Sequence, residues 1–217
     1  MNSEMVFDPS DPDIDMDSFQ RQDWSYSIYS LPGEKLKEKL PPNMPQPLGN
    51  GFKLCCFVDA DHTGESLTRR SRTGFIVMLN NAPIYWHPKK QTTVETSAFG
   101  SEFMAMNQEI DYLFGLRYKL RMFGILVDKP AFIYGDNQSV LINLSAPEST
   151  PKKKSQSVDY HFFREGCAAD EWLTTYLHKS LNISDLMKNR SQGRSIGALS
   201  ECCFTTFSVA KRSALGC

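Results

Sequence analysis

The chain has 217 residues, of which 41% are apolar and 23% charged, with 13 Gly and 12 Pro, so collagen-like, coiled-coil and wholly disordered classes are excluded. Its formal charge of −1 is an average: residues 1–20 hold six acids and no Lys or Arg, and setting those six aside turns −1 into +5 for the rest. The acidic, Pro-interrupted start has no secretory-signal pattern, and no run reaches the roughly 20 apolar residues a membrane helix needs, so an intracellular, non-membrane protein is expected.

Taken in chain order, residues 1–48 read as an acidic, Pro-rich linker, largely disordered, on which Trp24, Tyr26 and Tyr29 are candidates to dock on the body. Residues 49–190 read as one α/β domain and 191–217 as an atypical, disordered tail. Phe52 to Val58 is an almost continuous apolar run after Gly49-Asn50-Gly51, as expected of a buried strand. Thr73 to Leu79 and Ala82 to His87, split by Asn80-Asn81, predict a hairpin. Thr96 or Ser97 caps a helix in which Phe99, Phe103, Met106, Ile110, Leu113 and Phe114 recur every three or four residues. Gly115 interrupts that pattern and Gly124 stops it, which leaves one kinked helix or two.

Ala131 to Asp136 is a short strand and Asn137 to Leu144 the helix after it. Val158 to Ala169 is a third helix, with Tyr160, Phe163 and Cys167 on one side. Trp172 to Leu177 is β-rich, and Asn182 opens a last short helix. This order describes a mixed sheet covered by helices. The six cysteines show no zinc-knuckle spacing.

Four carboxylates occupy element ends: Asp59 and Asp136 after strands, Glu102 and Asp185 early in helices. Sheets of this class bind ligands beyond their strand ends, and clustered oxygen ligands suit Mg²⁺ or Mn²⁺. Each acid alone also fits a turn or helix-capping role. Basic clusters Arg69, Arg70 and Arg72, Lys89 and Lys90, and Lys152, Lys153 and Lys154 are candidate phosphate contacts, with Asn137 and Gln138 as polar contacts beside Asp136. Tyr85, Trp86 and Tyr134 suit a core role more than base stacking, and His161 is a candidate proton shuttle.

The blocks Phe57-Val-Asp-Ala-Asp-His-Thr-Gly, Arg70-Ser-Arg-Thr-Gly-Phe, Pro83-Ile-Tyr-Trp, Lys89-Lys-Gln, Glu95-Thr-Ser-Ala-Phe-Gly-Ser-Glu-Phe-Met-Ala, Ile133-Tyr-Gly-Asp-Asn-Gln-Ser and Tyr160-His-Phe-Phe-Arg-Glu follow one another in order. Together they resemble the ribonuclease H domain of copia-type retrotransposon Pol polyproteins, over about Phe52 to Lys188. The resemblance implies a ribonuclease H-like mixed five-stranded sheet flanked by helices. It also implies catalytic, metal-binding acids at Asp59, Glu102, Asp136 and Asp185. The block around Ile183-Ser-Asp-Leu departs from the family afterwards, where Met187-Lys-Asn-Arg-Ser stands in place of a Thr-Lys-Pro type run.

The implied activity is cleavage of the RNA strand of an RNA–DNA hybrid during reverse transcription, with two Mg²⁺ ions about 4 Å apart (Mn²⁺ an alternative). Glu102 and the backbone near Ala60 are implied to face the RNA strand. The implied partners are the hybrid and the reverse transcriptase domain of the parent polyprotein, in a cytoplasmic particle or the nucleus. Two other readings are a catalytically inactive nucleic-acid-binding relic and a DNA-processing nuclease on the same fold.

Overall fold

The computed structural model describes residues 29, 36–62, 67–80, 82–146 and 156–187. Trp24, Tyr26, the Lys152 to Lys154 cluster and the 191–217 tail lie outside the described residues. The elements are β1 (Leu54–Asp61), β2 (Arg72–Leu79), β3 (Ala82–Lys90), α1 (Ala98–Met122), β4 (Ala131–Gly135), α2 (Gln138–Ser145), α3 (Ser157–Ala168) and β5 (Trp172–Tyr176). Two short 3-10 turns follow, Lys179–Leu181 and Ile183–Met187.

The sheet order is β3-β2-β1-β4-β5. β1 pairs antiparallel with β2 and parallel with β4, β2 pairs antiparallel with β3, and β4 pairs parallel with β5. This is a mixed five-stranded α/β sheet, as the resemblance implied.

β1 is buried on both faces, which explains its unbroken apolar run. Leu54, Cys56, Val58 and Ala60 pack with Phe103, Met106, Ile110 and Leu113 of α1 and with side chains of α2 and α3. The alternate residues Cys55 and Phe57 join Ile76, Phe132, Tyr134 and Leu173 on the opposite face, where Leu181, Ile183 and Met187 close the core. All three helices therefore share one face of the sheet, and the C-terminal turns cover part of the other.

α1 is one helix of 25 residues, capped by Ser97, whose side chain accepts a hydrogen bond from the Gly100 amide. Gly115 does not interrupt it, and Gly124, in the left-handed region at φ 73°, ends it as expected. Asn137 caps α2 through the Val140 amide. Asn80 takes the positive φ its hairpin turn requires, while Asn81 lies outside the described residues. The last expected helix forms as 3-10 turns.

Phe114 does not join the core with the rest of its periodic set. It is exposed and meets Phe162 edge-on. Among the described residues no helix is long and apolar enough to cross a membrane. Cys55, Cys56 and Cys167 are buried free thiols.

Candidate metal centre and nucleic-acid face

β1 and β4 run side by side in parallel, with Val58 opposite Gly135, so Asp59 and Asp136 come next to each other toward the same end of the sheet. Asp59, expected after the strand, lies within β1, which pairs on with β2 as far as Asp61, while Asp136 directly follows β4. That end lies where the chain order reverses, because β2 continues the sheet on one side of β1 and β4 on the other. α1 begins at the same end and brings Glu102 from its first turns. One carboxylate oxygen from each of Asp59, Glu102 and Asp136 lies within 4.8 Å of the others.

Asp59 is fully buried and Glu102 is 9% exposed, so repulsion between these acids is poorly screened by water. The donor set is oxygen alone, from three separate elements, and it fits a hard divalent cation of the Mg²⁺ or Mn²⁺ kind. Among the described residues the site is thus a triad. Asp185, partly buried, stands outside it.

The segment that carries Asp185 is nevertheless tied to β1. Asn182 donates from Nδ2 to the Val58 carbonyl at 2.9 Å, next to Asp59, and its Oδ1 accepts from the Ser184 amide and hydroxyl. Gly74 lets this segment approach β2: a Cβ there would stand 2.7 Å from Met187 Cβ and 3.1 Å from the Ser184 carbonyl.

A buried polar clip holds the first turn of α1. Gln91, at the end of β3, donates from Nε2 to the Ser101 carbonyl at 2.8 Å and to Thr73 Oγ1 at 3.1 Å, and its amide donates to the Ser71 carbonyl. Ser101 Oγ lies 2.8 Å from both Ser71 Oγ and His62 Nδ1. Ser101 immediately precedes Glu102, so these contacts set where that carboxylate points. Sequence reasoning singled out Lys89-Lys-Gln as a motif and left Gln91 without a role. Its contacts join residues 10 and 18 positions apart, which no local pattern reveals.

The basic candidates among the described residues, Arg69, Arg70, Arg72, Lys89 and Lys90, fall on the same end of the sheet. Arg72 is in register with both Asp61 of β1 and Lys90 of β3, and Lys89 with Thr73. Arg69 and Arg70 are exposed in the turn before β2. Asn137 and Gln138 follow Asp136 at the start of α2.

The aromatic and histidine candidates divide by burial. Tyr134 is core, stacked on Phe57, and Tyr85 stacks on Tyr112 at 3.9 Å between ring centres. Trp86 is exposed. His87 lies flat against Phe75, and burial, with Lys89 nearby, holds its pKa below the ordinary value. His161 is not part of the triad, and its Nδ1 meets the Tyr29 hydroxyl at 2.5 Å. His178 caps the first 3-10 turn.

No family model matches the chain. Among curated proteins it is similar to retrovirus-related Pol polyproteins from transposons. It is 32% identical over 119 residues to the polyprotein of transposon RE1 of Arabidopsis thaliana, covering 54% of this chain and 8% of that protein. It is 28% identical over 109 residues to that of transposon TNT 1-94 of Nicotiana tabacum, covering 50% and 8%. The chain thus spans under a tenth of the length of these relatives. A solved structure, LC11-RNase H1 in complex with an RNA/DNA hybrid, aligns with 66% of this chain and 99% of its own at 13% identity and a TM-score of 0.48.

Proposed function

We propose that this relative of transposon Pol polyproteins is a copia-type ribonuclease H domain that cuts the RNA strand of an RNA–DNA hybrid with divalent cations. The observation that carries the proposal is the convergence of Asp59, Glu102 and Asp136 within 4.8 Å at the strand ends where an α/β sheet binds ligands. Bound there, two Mg²⁺ ions would activate a water and neutralise charge on the scissile phosphodiester. Asp59, Glu102 and Asp136 would hold these ions, with Asp185 of the neighbouring C-terminal turn as the fourth ligand.

The rigid sheet holds Asp59 and Asp136, and the Gln91 and Ser101 contacts hold Glu102, so the carboxylates need little rearrangement to accept a cation. Arg69, Arg70, Arg72, Lys89, Lys90 and the cluster Lys152, Lys153 and Lys154 contact phosphates. Asn137 and Gln138 contact the strand nearest Asp136. Preference for RNA arises from its 2′-hydroxyls, which DNA lacks. In the parent polyprotein the activity would follow a reverse transcriptase domain and act inside the cell.

The test is competition. With Mg²⁺, a labelled RNA–DNA hybrid should be cut in its RNA strand, and an excess of unlabelled hybrid should suppress cutting more than the same excess of all-DNA duplex. Cleavage of the all-DNA duplex at a comparable rate would instead assign a DNA-processing role.

A further inference from the structure

Far from the triad, at the other end of α1, two arginines are almost completely buried: Arg117 is 2% exposed and Arg121 5%. Neither belongs to the acidic site, since 15 residues of helix separate Glu102 from Arg117, about 22 Å along the axis at 1.5 Å per residue. Long cations are rarely this buried without a partner of opposite charge.

The partner comes from upstream in the chain. Glu38 Oε1 and Oε2 accept from Arg117 Nε at 3.1 Å and Nη2 at 2.7 Å, and both oxygens also accept from the guanidinium of Arg121. Arg117 further donates to the Lys129 carbonyl and Arg121 to the Val127 carbonyl, so the pair also fastens the connection from α1 to β4. Burial works against the charge on Glu38, but the hydrogen bonds from Arg117 and Arg121 outweigh it and hold its pKa below the ordinary value.

The following residues stay on the same surface. Pro41 is buried, Pro45 and Gln46 lie against Gly124, and Leu48 donates its amide to the Gly124 carbonyl at 2.7 Å and bridges Ile125 in parallel. A linker with no hold on the domain would not bury a carboxylate between two guanidinium groups.

We propose that Arg117 and Arg121 form a carboxylate socket for the upstream strap, residues 36–48, with Glu38 as its plug. The strap is thereby part of the folded domain and fixes the point from which the preceding chain departs. The occupant is this chain's own acidic side chain, and the inference stands whether or not the protein cleaves a hybrid.

Limited trypsin digestion of the full chain, followed by mass spectrometry, tests it. Lys37 and Lys39 are exposed and flank Glu38, so only the docking of their backbone protects them. Cleavage after these two lysines should be roughly ten-fold slower or more in the full chain than in a free peptide of residues 29–48. In Glu38→Gln it should approach the peptide rate, while sites within α1 keep their resistance. Equal rates in the native chain and the peptide, or unchanged protection in Glu38→Gln, would overturn the proposal. If Glu38→Gln does not fold, Arg121→Lys serves in its place. It keeps the charge and loses the planar fork, so cleavage after Lys37 and Lys39 should quicken selectively. Unchanged protection in that variant would likewise overturn it.

Discussion

Asp136→Asn should retain the fold and the affinity for a hybrid yet lose about a thousand-fold in cleavage rate, equivalent to ~4 kcal/mol of transition-state stabilisation. The change is nearly isosteric and removes one negative charge from a triad whose members lie within 4.8 Å. Asp136 follows β4 and precedes the Asn137 cap of α2, so an amide at this position leaves the neighbouring elements intact. The effect should fall on the chemical step if Asp136 is a ligand as proposed, because the basic positions of β2 and β3 are untouched. Single-turnover cleavage and hybrid binding without divalent cation, measured on the same preparation, separate the two. Equal loss of binding and cleavage would mean that Asp136 serves the structure instead of a metal.

Glu109→Met should make the protein more stable at neutral pH by about 1–3 kcal/mol. Glu109 is 0% exposed, faces the apolar side of α1 two turns after Glu102, and lies against the Cys56 thiol. Burial pushes its carboxyl well above the ordinary value of 4.5. The folded chain holds this proton to higher pH than the unfolded chain, where the carboxyl ionises near 4.5. Its contribution to stability is therefore complete below that pH and is lost as pH rises toward the folded value.

Glu171 acts with the same sign. Burial, with Glu38 nearby, pushes it up to about 7 against the opposing pull of Arg117 and Arg121. Thermal denaturation of the unaltered chain should thus show a falling midpoint from pH 5 to pH 8. Glu109→Met should flatten that slope, leaving the part due to Glu171, which ends above pH 7. A slope as steep as in the unaltered chain would show that Glu109 is not the group that titrates.

These two residues mark what can be read from sequence here. Asp136 stood out because a strand-end acid before Asn-Gln-Ser belongs to an ordered series of blocks, and Asp59 and Glu102 stood out in the same way. Glu109 did not, because a glutamate within a polar and apolar helical pattern looks like a solvent-facing residue. Only the position of α1 on the sheet buries it.

The same limit applies to Glu38. Its neighbours Pro41 to Pro47 carry a linker's composition, and the socket that receives it is built from residues 79 and 83 positions away. Gly115 misled in the other direction. A glycine suggests a break, but a Cβ there would meet nothing within 4 Å, and the helix continues through it. Asp185 is the intermediate case. Its segment is tied beside Asp59 by Asn182, yet its carboxylate stays outside the triad, and the residues that follow Met187 depart from the family pattern.

If Asp59, Glu102 and Asp136 hold the divalent cations that cut RNA in a hybrid, cleavage must depend on those cations. Cleavage of an end-labelled RNA–DNA hybrid, with Mg²⁺ and then with excess chelator, tests it most directly. Internal RNA fragments should appear with Mg²⁺ and not with chelator, and should return when Mg²⁺ or Mn²⁺ is restored. Cleavage that persists in chelator, or RNA left intact by folded protein in saturating Mg²⁺, would contradict it.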